Sequence, residues 1–408
     1  MLKEERHIFW ATSAVLIGAA MPLILIGRAV SAGALILGII IGLIATKGTS
    51  LRSTMETLKT SKMCRIIGVM LVAFAASIPF AIDPAYAANK MLQIMGMAFA
   101  SLLLYTAMRE MPRRYVTTVI QVLGVTTVCI AFLAGLDAFL NDERLSSALH
   151  GRKWNNLHRL NYMSSVLGVL LPFLWAWMLR RHRDGATLAK WFALPLILVT
   201  FLIVFVCGGR AGWVGATAAA IFFLWGASKY HNVVIHRKHW FMGGLAVLLG
   251  PVAYGAVRGF DVMKERLSLL GETNGIGSGR LEIWNFAIKH FGDNPLTGIG
   301  MGNFRKLPIP EEGIVSNAHP HNFVIQLYLE TGAFGLLTAT VFIFYLLRLF
   351  KHYSEGHLYG LAAYAGLIAF FVASLANTSI FQPWWLTFMV FVAILGNRAG
   401  WTGKPYDS

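Results

Sequence analysis

Charged side chains are scarce in this chain: Asp, Glu, Lys and Arg together make up 13% of its 408 residues. With 56% apolar residues and a mean hydropathy of +0.61, that scarcity excludes an ordinary soluble domain. Acids are scarcer than bases, 19 against 35 Lys and Arg, giving a formal net charge of +16. Cysteine is limited to Cys64, Cys129 and Cys207, each within or beside a different apolar segment, so no disulfide framework is indicated. Lipidation motifs, low-complexity tracts, clear internal repeats and a soluble domain are all lacking.

Apolar runs long enough to cross about 30 Å of hydrocarbon are abundant. They fall near residues 8–26, 29–45, 66–82, 91–108, 115–136, 161–179, 191–207, 211–228, 240–257, 323–347, 358–376 and 384–397. The expected fold class is therefore an all-α polytopic integral membrane protein with about twelve transmembrane helices. The small residues of AVSAG, 29–33, are spaced like a signal-peptide cleavage site, but the run before them is long and a second follows at once, so a retained anchor is expected.

An even number of spans puts both termini on one side. If that side is the cytoplasm, 21 of the 35 Lys and Arg and seven of the 19 acids lie inside, leaving the inside at +14 and the outside at +2. The basic balance is then a topology signal, with basic loops retained beside anionic lipid. A nucleic-acid surface fits less well, because these charges are scattered over short loops.

Two outside segments are long, residues 137–160 and 258–320. The chain divides accordingly into 1–257, holding nine spans and the shorter loop; 258–320, the large outer loop; and 321–408, holding three spans and a cytoplasmic tail. Within the large loop, GRLEIWNFAIKHF places Leu281, Trp284, Ile288 and Phe291 at helical spacing. This segment is expected to be an amphipathic helix on the outer membrane surface or packed over the bundle, followed by the glycine-rich turns of GDNPLTGIGMGNF.

Polar groups gather at the outer surface. NAHPHNF sets His319 and His321 on either side of Pro320. Counting back from Arg348, about 20 residues at 1.5 Å each exhaust the hydrocarbon, so its outer edge lies near Leu329, with His321 about 12 Å above it. The same count from Lys229 puts Arg210, in CGGRAGW, near that edge. Arg210 has no acidic neighbour in sequence and reads either as a snorkelling side chain or as a bidentate acceptor of phosphate or diphosphate. Arg280 opens the loop helix after GIGSG and reads either as surface charge or as an anion ligand at a helix N-terminus. Zinc needs three or four ligands, and no Cys or further His stands at ligand spacing beside His319 and His321, so no metal or other cofactor is expected. Glu330, nine residues beyond His321, points to the opposite helix face and is placed to bond Gln326. The aromatics of FQPWWLTF, 381–388, read as an interfacial belt.

HNFVIQLYLETGAFG, with His321 and Asn322 followed after nine residues by Gly332 and Gly335, resembles the H-N-x9-G-x-x-G signature of the O-antigen ligase family. GRLEIWNFAIKHFGDNPLTGIGMGNF (279–304) is similar to that family's periplasmic-loop segment. GGRAGW resembles its helix-end arginine motif, and LNYMSSVLGVLLPFLWAW (160–177) the helix after its shorter periplasmic loop. Over the first 130 residues the resemblance is one of hydropathy alone.

The resemblance implies a GT-C-like, metal-independent glycosyltransferase of the bacterial inner membrane, its site facing the periplasm. The donor would be a glycan on undecaprenyl diphosphate and the acceptor lipid A-core, giving an inverting ligase of lipopolysaccharide assembly. Carried over residue by residue, His321 matches the family's essential histidine, and Arg210 and Arg280 its two essential arginines. His319 and Asn322 are carried as substrate-binding residues, and Lys90, Arg152, Lys153 and Arg159 are outer cations in reach of glycan or phosphate. An O-antigen polymerase and a protein O-oligosaccharyltransferase would use the same donor. A transporter would instead place ionisable residues mid-membrane or show paired broken helices, and the sequence displays neither.

Overall fold

A computed structural model describes residues 3–46, 49–140, 156–185, 199–204, 209–233, 249, 280–308, 319–376 and 378–400. Among these the regular elements are helical. In chain order they are α1 (Lys3–Ala20), α2 (Arg28–Ala45), α3 (Thr49–Thr60), α4 (Lys62–Ala75), α5 (Pro84–Glu110), α6 (Arg113–Leu140), α7 (Asn156–Arg183), α8 (Arg210–His231), α9 (Arg280–Lys289), α10 (Phe323–Gly356), α11 (Leu358–Ser374) and α12 (Pro383–Gly400). Seven described helical segments are long and apolar enough to cross a membrane, which makes the chain an all-α polytopic membrane protein. Helices α1, α11 and α12 coincide with three more expected spans, whereas those expected at 191–207 and 240–257 fall mainly outside the described residues.

Helices α7, α8 and α11 pack on one another, and α10 packs against α4, α8 and α11. Helix α11 is rich in Ala and Gly, and such small residues let backbones approach closely in a membrane bundle. On α10, Phe334, Leu337, Val341 and Phe344 form one helical stripe that is 50–69% exposed, as a lipid-facing surface requires. The aromatics at 381–388 depart from the expected belt. Phe381, Trp385 and Phe388 are buried; Trp385 stacks on Phe370 at 4.7 Å between centroids and donates its indole N–H to Ser374 Oγ at 2.8 Å. A buried indole with a partner is as well satisfied as one at the interface.

Helix α10 is broken. Gly332 has φ 63° and ψ −169°, a region essentially reserved for glycine, and the chain on either side is helical. The sequence gives little sign of this break, since one glycine in an apolar helix is ordinarily tolerated. The segment NPLTGIG fills the gap. Pro295 O accepts from Ala333 N at 2.9 Å and Leu296 O from Phe334 N at 3.2 Å, while Ile299 N donates to Leu329 O at 2.9 Å and Gly300 N to Glu330 O at 3.0 Å. Both donors and acceptors freed by the break are thus re-paired, as a buried backbone requires. Contact is so close that a Cβ at Gly332 would lie 2.3 Å from Leu296 O, and one at Gly298 (φ 72°) 2.5 Å from Thr331 N.

Gly332→Ala should therefore cost at least about 1–3 kcal/mol and lower both the yield and the melting temperature of detergent-solubilised protein. Gly356→Ala, whose Cβ meets nothing within 4 Å, serves as the control. Equal behaviour of the two in size-exclusion and thermal-unfolding measurements would contradict the clasp.

Candidate functional site

The clasp fixes α9 over the start of α10. Ile283, Phe286 and Ala287 of α9 share a small core with Ile299, Phe304, Leu307 and Leu329. This differs from the expected face. Leu281 and Ile288 are 43% and 49% exposed, because the segment carries two overlapping apolar sets at helical spacing and the loop packs against the other one. Trp284, counted on sequence only as an apolar position, donates its indole N–H to Pro320 O at 2.9 Å and so ties α9 to the histidine turn.

Asn322 is the N-cap of α10, its Oδ1 accepting from Val324 N at 3.0 Å and Ile325 N at 3.2 Å. His321 precedes the cap with φ 56°, an unusual conformation for a non-glycine residue. Its backbone N–H donates to Nδ1 of His319 at 3.2 Å, and the two rings lie 4.1 Å apart between centroids. His319 thus holds the left-handed turn that presents His321.

Arg280 is the first residue of α9 and Arg210 the first of α8. Gly209 caps α8, and Ser164 Oγ of α7 donates to its carbonyl at 3.2 Å. Gly212 allows that approach, since a Cβ there would lie 2.1 Å from Ser164 Oγ. Burial lowers the Arg280 pKa from its ordinary value, and the charge of Arg210 lowers it further. Burial also pushes His319 down to about 3, with His321 and then Arg280 adding to the shift. Arg280 is therefore within electrostatic reach of both Arg210 and the histidine pair. Three of these groups stand at the N-termini of three helices, where the backbone already supplies positive potential. The arrangement is suited to an anion and is costly without one.

Lys90 lies on α5, its ammonium over the ring of Tyr86. Arg152 and Lys153 fall outside the described residues, as does the side chain of Arg159. Glu330 is fully buried behind the site, where it accepts from Gly302 N at 2.7 Å, Gln326 Nε2 at 3.1 Å and Phe304 N at 3.2 Å. The Gln326 contact is the one expected from helical spacing, while the two loop contacts are invisible in sequence. Among the described residues no three His, Cys, Asp or Glu side chains gather at metal-ligand spacing.

Residues 193–340, which include both arginines and both histidines, match the O-Antigen ligase family model. Over this stretch, somewhat more than a third of its length, the chain is similar to the O-antigen ligase family. Two proteins of Rickettsia felis and Rickettsia conorii, each named as a "Putative polysaccharide ligase", are 22% and 23% identical over 36% of this chain and 37% of their own length. A protein of the same name from Rickettsia bellii is 20% identical over 50% of each chain. The chain thus spans half or less of the length of these relatives.

Neutral His319 has a consequence for stability. The unfolded chain protonates this ring below about pH 6.5, whereas the folded chain resists until about pH 3. Stability is therefore retained above the unfolded value and declines as pH falls through that window. His357, lowered to about 4 by burial and then by His231, acts in the same direction. His319→Asn keeps an acceptor but does not titrate there, so its melting temperature should fall less than that of wild type between about pH 7.5 and pH 5. Parallel declines in the two proteins would contradict a buried neutral His319.

Proposed function

We propose that this protein is an inverting O-antigen ligase that transfers a glycan from undecaprenyl diphosphate to lipid A-core at the periplasmic face of a bacterial inner membrane, with both its termini in the cytoplasm. The observation that carries the reading is the gathering of Arg210, Arg280 and the His319–His321 pair at helix N-termini, inside the segment matching the family. The reading follows from the chemistry these groups can perform. The donor diphosphate lies between the two guanidinium groups, each able to offer paired N–H donors to phosphate oxygens. A sugar hydroxyl of the acceptor approaches the anomeric carbon from the opposite side.

His321 accepts the hydroxyl proton as that oxygen forms its bond to the anomeric carbon, while the bond from that carbon to the diphosphate oxygen breaks. The electron pair leaves with the diphosphate, whose charge the arginines and the helix N-termini offset. In-line displacement inverts the anomeric centre. With the leaving-group charge matched in this way, the step needs no metal ion.

His321→Ala, Arg210→Ala and Arg280→Ala should each reduce ligation at least about 100-fold without loss of membrane insertion. The check is the formation of core-linked glycan by purified protein given lipid-linked glycan, with lipid A-core present or absent and with excess chelator. Product that requires the core and survives the chelator is expected. Longer lipid-linked chains formed without the core would indicate a polymerase, strict metal dependence would contradict the mechanism, and wild-type activity in an inserted variant would remove that residue from it.

A further inference from the structure

A second group of cations surrounds the ring of Tyr86 on α5. Lys90 Nζ, Arg305 Cζ and Lys306 Nζ lie 5.6, 5.7 and 5.6 Å from its centroid, and Arg305 Nη1 donates to the phenol oxygen at 3.3 Å. Three like charges around one ring repel unless countered. Lys306 is countered by Asp83 at 2.9 Å. Among the described residues, Lys90 and Arg305 form no ion pair with a carboxylate. Lys90 makes one long contact to Gln93 at 3.4 Å, and it acts electrostatically on Glu330, whose oxygens are already engaged by Gly302, Phe304 and Gln326.

Beside these cations is a cavity of about 70 Å³ lined by Tyr86, Lys90, Gly302, Arg305, Gln326, Ser379, Phe381 and Gln382. A water needs roughly 10–15 Å³ on this scale, so there is room for a tetrahedral oxyanion. No carboxylate lines the space. Ser379 Oγ accepts from Gln326 Nε2 at 2.8 Å and Phe381 N at 3.2 Å, which leaves its hydroxyl proton for a further partner. The wall is held rigidly, because Gly302 N is bonded to Glu330 and a Cβ on Gly302 would lie 2.8 Å from the Tyr86 ring. None of the lining residues belongs to the Arg210, Arg280 and His321 group.

We infer that this cavity binds the phosphate of a phosphorylated sugar on the acceptor glycolipid, with Lys90 and Arg305 as its charged ligands. The inference rests on the ligase reading for the identity of the acceptor. It gives the outer surface two anion sites, one for the leaving diphosphate and one that selects and orients the incoming glycolipid. Tyr86 and Phe381 supply apolar faces beside the oxyanion, as a sugar ring needs.

The test measures binding of lipid A-core, before and after chemical dephosphorylation, to the full-length protein in phosphatidylcholine nanodiscs by native mass spectrometry. Wild type should prefer the phosphorylated form about tenfold or more, as the loss of one charge-assisted contact implies. The double variant Lys90→Gln with Arg305→Gln should lose the preference, and Arg305→Lys should retain most of it, which separates charge from misfolding. Equal binding of both forms by wild type, or a preference that survives in the double variant, would overturn the assignment. Abolition of the preference by phosphatidylglycerol in the nanodisc, dependent on Lys90 and Arg305, would assign the cavity to a bilayer headgroup and overturn the acceptor role. Failure of wild type to ligate in a parallel assay would count against the ligase reading, while the binding difference still decides the cavity.

Discussion

The end of this molecule that carries the histidine turn depends on a backbone exchange at Gly332. A helix broken inside a bilayer leaves unpaired N–H and C=O groups that lipid cannot satisfy, at several kcal/mol each. Here Pro295, Leu296, Ile299 and Gly300 supply the missing partners. Since the four hydrogen bonds run along both sides of the gap, they fix the loop in translation and rotation. The small core under α9 then follows, and with it the position of Arg280 relative to the histidine turn. A loop about 35 residues before Gly332 is thereby held against the helix through its own backbone.

On that frame the molecule concentrates positive potential. Helix N-termini, two guanidinium groups and an imidazole pair share one end of the bundle, and the pKa values of Arg280 and His319 are depressed by burial first and by their charged neighbours second. Natural folds keep such frustration where a ligand relieves it. In the proposed mechanism a diphosphate does so, with His321 beside it to handle a proton. The Tyr86 cavity repeats the theme with separate residues, and Glu330 links the two by bonding Gly302 and Phe304 of the loop that also reaches α9. A buried carboxyl with three donors is well placed to hold the loop.

Much of the architecture was legible because hydrocarbon thickness imposes a length on every span, and ten of the expected spans coincide with helices. The candidate residues stood out in the sequence as cations and imidazoles at the ends of apolar helices, where snorkelling or surface charge was the other reading, and the structure brings Arg280 within electrostatic reach of Arg210 and the histidine pair. Four features were not legible. The break at Gly332 hides in an apolar run whose stabilising partner is far away in sequence. The buried face of α9 is ambiguous because Leu281, Trp284 and Ile288 have the same periodicity as Ile283, Phe286 and Ala287, and only tertiary contact chooses. Trp385 looks like a belt residue because composition does not distinguish an indole that meets headgroups from one that meets Ser374. Asn322 before an apolar run is a recognisable helix cap, a reading masked by its neighbour His321.

The central claim is that Arg210 and Arg280 hold one diphosphate with His321 on its reacting side. Electron cryomicroscopy of the full-length protein in a nanodisc with undecaprenyl diphosphate tests it most directly. The account predicts phosphorus density between the two guanidinium groups, in hydrogen-bond contact with both, next to the His321 ring. Density seated elsewhere, or guanidinium groups turned away from each other around an empty gap, would contradict it.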